Sequence, residues 1–247
     1  MQTRTGKGHG KMKKLIFILL FAPLLAFASD AGIHLDKAPD RSGNLPALQN
    51  GAKVFVNYCM GCHGASFMRY NRLQELGLSD EQIKNNLIFS EAKVGDLMSI
   101  AMRPAEGKLW FGATPPDLTL VARARASENG TGADWLYTYL RGFYRDETRP
   151  TGWNNVAFDN VGMPHALWEL QGQQVMGEDH KLVLAVPGTL QPEEYDALVA
   201  DLVGFLQYMS EPVARTRQNV GIGVLLGLAV LFVFAYLLKR EYWKDVH

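Results

Sequence analysis

Asn57-Tyr58-Cys59-Met60-Gly61-Cys62-His63-Gly64 is the stretch on which the reading of this chain turns. C-x-x-C-H is the attachment pattern of a c-type haem. Two thiols three positions apart can each add to one vinyl group of a porphyrin, and the adjacent imidazole is then held against the iron. On this reading Cys59 and Cys62 are the tethers and His63 is the proximal ligand. They are the chain's only cysteines, so a zinc site of three or four thiolates is excluded. A redox dithiol stays open, but it is expected beside a βαβ pattern that the sequence does not show.

Upstream of the motif, Asn44 reads as an N-cap with Pro46 in the first turn, and Leu48, Ala52, Phe55 and Cys59 recur on one helical face. That spacing delivers Cys59 to the buried side, where a haem fits under Phe55. Farther back, the apolar run Leu15 to Phe27 follows Met12-Lys13-Lys14 and ends in Ala26-Phe27-Ala28, the small residues a signal peptidase requires. It is too short to span a bilayer. Residues 1–28 therefore read as an N-terminal extension and cleavable leader, with Met12 as the expected start of translation.

Downstream, the signals are mainly helical. Ser79-Asp80-Glu81 opens one helix and residues 96–102 read as a short second one. Pro104, then Gly112 to Leu118, break the pattern into a loop. A short helix is expected from Leu118 to Ala126, carrying Arg123 and Arg125. Thr131 and Asp134 form a capping box for a helix through Arg145, with Leu136, Tyr139, Leu140 and Phe143 on one face. Residues 146–165, rich in Pro, Gly and Asn, read as a loop without periodicity that holds Val161-Gly162-Met163-Pro164-His165. Such a loop makes sense if Met163 has a partner, because low-spin c-type haems often take a thioether as sixth ligand. His165 is the rival.

Residues 171–190 read as a hairpin, and Thr189 to Met209 as a helix. Val220 to Leu238 is uncharged for 19 residues and flanked by Arg215, Arg217, Lys239 and Arg240, a transmembrane anchor. The domain organisation is then 1–28, 29–214 outside the membrane, and 215–247 as anchor with a short cytoplasmic tail. The formal charge is zero overall, but residues 29–214 carry 23 acids against 15 bases. An acidic domain argues against nucleic acid and suits a basic partner.

In this order the motifs carry a specific resemblance. Cys59-Met60-Gly61-Cys62-His63, Pro115-Pro116-Asp117-Leu118-Thr119 with Arg123-Ala124-Arg125, Gly162-Met163-Pro164, and Tyr208-Met209-Ser210-Glu211-Pro212 before the anchor together resemble the bacterial cytochrome c1 family. These are the haem-bearing subunits of quinol:cytochrome c oxidoreductase (cytochrome bc1) complexes.

The resemblance implies a mainly α cytochrome c-type haem domain with long insertions plus one C-terminal transmembrane helix, its first and last soluble helices packed near the haem. It implies one covalently attached haem c, with His63 and Met163 as axial ligands of the iron, Arg125 or Arg123 against a haem propionate, and Pro116 in the loop beside the haem. It also implies cytochrome b and Rieske iron–sulfur partners, a soluble or tethered cytochrome c acceptor, a dimeric complex in the bacterial inner membrane with the haem domain in the periplasm, and no enzymatic step in this chain alone. Trp110-Phe111 and Asn154-Asn155-Val156-Ala157-Phe158 depart from the family pattern. The other readings of a C-x-x-C-H chain are a gas-binding sensor, a tethered peroxidase using His165, and a thiol oxidoreductase.

Overall fold

The computed structural model describes residues 33–245, so the leader lies outside the described residues. Asn44 accepts from the Ala47 amide at 3.2 Å and opens helix α1, Leu45–Val54, with Pro46 in the first turn. The expected single face does not run straight to Cys59. After Val54 the helix widens into a π turn, Phe55–Cys59, closed by Met60 N–H on the Phe55 carbonyl. One extra residue per turn swings the downstream chain by about 100°. Phe55 stays fully buried while Cys59 emerges at the edge of the core.

The next segment is irregular. Strand β1, Ala65–Arg69, leads through a 3-10 segment, Tyr70–Leu76, to helix α2, Asp80–Leu87, capped by Ser79 and Gln82. Residues 97–98, expected to be helical, form strand β2 instead. Met98 sits opposite Ala65 and Leu97 opposite Arg69, and burying Met98 completely decides the matter. Pro104 does not stop a helix but starts one, α3, Pro104–Phe111. At a helix N-terminus its missing N–H is one that has no partner anyway.

Helix α4 is shorter than expected, Val121–Ala124, and α5 runs Gly132–Arg141. The two cross so closely that a Cβ on Gly132 would lie 1.9 Å from the Ala122 carbonyl. Helix α5 stops four residues before Arg145 because Gly142 turns the chain into strand β3, Phe143–Arg145, which pairs antiparallel with β4, Trp153–Asn155. The expected featureless loop thus contains a hairpin arm. Helix α6, Trp168–Gln171, precedes the hairpin of β5, Gly172–Met176, and β6, Leu182–Pro187.

Helix α7, Pro192–Ser210, is the last before the long α8, Ala214–Tyr242. The first and last soluble helices pack together, as expected. A Cβ on Gly51 of α1 would meet the Asp201 carbonyl of α7 at 2.1 Å, so only glycine allows the approach. One turn on, the Phe55 and Phe205 rings meet at 5.7 Å. Helix α8 is apolar, unburied and 29 residues long, long enough to cross a membrane. It extends past the uncharged run to include Arg215, Arg217, Lys239 and Arg240.

Candidate haem site

The widened turn ends where the motif begins, and the motif's geometry comes from its internal hydrogen bonds. Cys62 and His63 N–H groups both donate to the Cys59 carbonyl, at 3.0 and 2.9 Å, folding the five residues into one tight knot. Cys59 and Cys62 are both free and half-buried. Burial, and secondarily the neighbouring Cys62, push the Cys59 thiol up to about 12. A redox dithiol needs a low-pKa thiolate, so this environment disfavours the oxidoreductase reading.

His63 is buried, and its Nδ1 lies 2.7 Å from the Pro116 carbonyl. A carbonyl only accepts, so Nδ1 carries the proton and Nε2 keeps the lone pair that a metal takes. Desolvation lowers the imidazole's pKa, against the opposing pull of Pro116 and Asp117, and keeps the ring neutral. The Pro115 to Thr119 loop is itself tied down. Leu118 N–H donates to the Gly64 carbonyl at 2.9 Å, and the Asp117 carboxylate accepts from the amides of Ser66 at 2.7 Å and Thr119 at 2.9 Å. Burial acts to raise the Asp117 pKa, but these bonds outweigh it and hold the group below its ordinary value. Ser210 Oγ closes the frame on the Thr119 carbonyl at 3.0 Å, linking the loop to the end of α7.

Met163 is supported from elsewhere. It is half-buried against the core, and its Sδ accepts from the Tyr139 hydroxyl at 3.4 Å. The loop leading to it is held by two buried amides. Asn155 Nδ2 donates to the Tyr139 carbonyl at 2.7 Å while its Oδ1 accepts from Ala157 N–H at 2.8 Å. Asn154 accepts from the Asn155 and Asn160 amides and donates to Asp146 and Asp159. The Phe111 carbonyl at the end of α3 faces Gly162, so the departure Trp110-Phe111 borders this loop; Trp110 itself is exposed.

His165 lies in an aromatic clamp, stacked flat on Phe143 at 4.7 Å and against the edge of Trp153 at 5.0 Å. Burial drives its pKa down to about 4, offset only in part by the neighbouring Gln171 side chain. The two arginines separate. The Arg125 guanidinium stands 4.3 Å over the Trp135 ring and 5.6 Å from Phe158, and Trp135 stacks at 4.8 Å on Tyr139, which meets Met163. Arg123 instead adds its field to that of Arg217 in holding Glu211 ionised at the end of α7. Trp135, Asn154 and Asn155 carried no functional signal in the sequence, and Tyr139 showed only as part of an apolar face.

The Cytochrome C1 family model matches residues 40–246. The chain belongs to the cytochrome c1 family. A cytochrome c1 of Allochromatium vinosum is 48% identical over 250 residues, covering 96% of this chain and all of that protein. A Nitrosomonas europaea protein named ammonia monooxygenase gamma subunit is 50% identical over 237 residues, 96% of this chain and 99% of its own length. The cytochrome c1 of Rhodospirillum rubrum is 28% identical over 81% of this chain and 82% of its own.

Membership fixes the fold as the mainly α haem domain with a C-terminal apolar helix, and the role as a haem-bearing electron-transfer subunit of the bc1 type. The cofactor of a cytochrome c1 is one covalently attached haem c. The chain fits it, with two free thiols in C-x-x-C-H register and a neutral imidazole whose Nε2 is released by the Pro116 carbonyl. When bound, the haem supplies a reversible one-electron couple.

Proposed function

We propose that this cytochrome c1 takes single electrons from a Rieske iron–sulfur protein and passes them to a soluble or tethered periplasmic cytochrome c, beside cytochrome b in a dimeric quinol-oxidising complex. Residues 29–214 form the periplasmic domain, and residues 215–247 hold it at the inner membrane with the tail in the cytoplasm. The chain makes or breaks no substrate bond by itself. Cys59 and Cys62 tether the haem, and His63 and Met163 are its axial ligands. Arg125 meets a propionate, because a guanidinium fork on a rigid aromatic face suits a carboxylate, and Pro116 fixes the His63 tautomer.

One observation carries the reading. Two side chains of ligand chemistry, buried His63 and half-buried Met163, are each oriented by a separate hydrogen bond, to Pro116 and from Tyr139. His165 is walled in by Phe143 and Trp153, which favours the thioether as sixth ligand. A closed sixth position also disfavours the gas sensor and the peroxidase. The excess of acids on residues 29–214 supports a basic acceptor, guided in and quickly released.

Purification of the full chain from membranes tests the assembly. A b-type cytochrome and a Rieske protein are expected to come with it. Their reproducible absence overturns the complex, and an oxygenase in their place favours the association named for the Nitrosomonas relative. In the purified protein, Arg125→Leu is expected to change the haem potential and Arg123→Leu to leave it unchanged; the reverse pattern exchanges their roles.

A further inference from the structure

Helix α5 sends one side chain to the sulfur of Met163, and residues of α5, β3 and β4 restrain it. The Tyr139 ring is stacked on Trp135 one helical turn earlier, at 4.8 Å and 13° from parallel. Phe143 closes on it edge-on at 5.1 Å. Asn155 holds its backbone carbonyl at 2.7 Å and, by the same amide group, the backbone of the Met163 loop at Ala157. With the ring held by Trp135 and Phe143 and its backbone by Asn155, little beyond rotation of the hydroxyl remains free, and it points to Met163 Sδ at 3.4 Å. Tyr139 is nine-tenths buried. A thioether is a weak acceptor that water would displace at an exposed site, and a buried hydroxyl requires a partner.

We infer that Tyr139 raises the potential of the haem iron in this chain, by donating its phenolic hydrogen to the ligating sulfur, with Trp135 and Asn155 holding it in place. The inference rests on the reading of Met163 as the sixth ligand. A thioether sulfur has two lone pairs, so one can meet the metal while the other accepts from Tyr139. The hydrogen bond withdraws density from the sulfur, and a poorer donor stabilises ferric iron less than ferrous iron. Tyr139 therefore raises the potential. The hydroxyl–sulfur bond has the scale of an ordinary neutral hydrogen bond, which corresponds to about a fivefold change in the ferrous-to-ferric ratio, roughly 40 mV for a one-electron couple.

The test is an equilibrium redox titration of the detergent-extracted full-length holoprotein, with the thioether-to-ferric charge-transfer band recorded at each step. Tyr139→Phe removes one oxygen and keeps the packing. It is expected to lower the midpoint by about fivefold in the equilibrium constant with the band retained; a midpoint equal to the unaltered protein's, with the band retained, overturns the inference. Met163→Ala run in parallel reports on the underlying reading: an unchanged band and potential there refute Met163 as ligand, whatever Tyr139 does. Should Tyr139→Phe fail to accumulate, the unaltered ferric protein decides the matter. The hyperfine-shifted methyl resonance of the ligating methionine is expected to move between light and heavy water, and its failure to move overturns the proposal.

Discussion

The two sides of the haem site are built in opposite ways. The His63 side is local: Cys59, Cys62 and His63 lie within five residues, folded by bonds to one carbonyl, and Pro116 completes it from a loop pinned to Gly64 and Ser66. The Met163 side draws on α5, the β3–β4 arm and two buried asparagines, spread from Tyr139 to Met163. A side made of one short motif is fixed by chain connectivity. A side made of several elements holds only as long as those elements stay docked, so the two are expected to fail separately.

The largest effect is expected from the proposed axial ligands themselves. His63→Ala is expected to abolish low-spin haem and to cut the yield of haem-bearing protein severely, since the imidazole adjoins both proposed tethers. Met163→Ala is expected to keep the haem attached, as seen by haem stain after denaturing electrophoresis, while the ferrous protein becomes able to bind carbon monoxide and its potential falls. Equal loss of attached haem in both variants would erase the distinction between the sides.

Next in size is the scaffold under the His63 side. Gly51→Ala places a Cβ 2.1 Å from the Asp201 carbonyl, against backbone that cannot yield, and must push α1 away from α7. A cost of about 3 kcal/mol is expected in denaturant unfolding, with both sides loosened together because α7 anchors the Thr119 loop through Ser210 and α5 through the Tyr195 hydroxyl on the Leu140 carbonyl. By contrast, Asn155→Ala leaves the Tyr139 carbonyl and the Ala157 amide without their buried partner. The cost is expected to be smaller, about 2 kcal/mol. It falls on one side only: carbon monoxide binding rises while the haem stain is unchanged.

That asymmetry also explains what could be read from the sequence. Cys59, Cys62, His63 and the capping of α1 and α5 are encoded in runs of a few residues, so spacing and propensity reveal them. Met163 could be singled out only by the oddity of its loop. What holds it could not, because Asn154 and Asn155 read as turn formers until β3 and β4 pair across them, and Tyr139 reads as core until its hydroxyl meets a sulfur. The same limit accounts for the local departures from expectation. Leu97–Met98 becomes a strand through pairing with the distant Arg69 and Ala65, and Pro104 starts rather than stops a helix because of where the chain enters α3. The π turn at Phe55–Cys59 left no mark at all in the helical spacing of Leu48, Ala52, Phe55 and Cys59.

The smallest expected effect reaches the Met163 side from its far support. Asp134 caps α5, accepting from the Thr131 amide at 3.1 Å and hydroxyl at 2.7 Å. It also binds the N-terminal arm, through Ala38 N–H at 2.9 Å and Lys37 at 3.0 Å. Burial acts to raise its pKa, but the hydrogen bonds from Ala38, Thr131 and Lys37 win and lower it to about 2. A carboxylate held below its unfolded value of 3.8 gives stability that is complete above that pH and is lost as the pH falls through about 2. With one partner exposed to solvent, the contribution is about 1 kcal/mol. Asp134→Asn is expected to cost that much at neutral pH and to flatten the acid limb of the stability curve. Since α5 carries Tyr139, acidification of the unaltered holoprotein should open the Met163 side before the His63 side gives way. Stopped-flow spectra at pH values from about 4 down to about 2 can distinguish that order from a single concerted loss, which would mean that the two sides share their support.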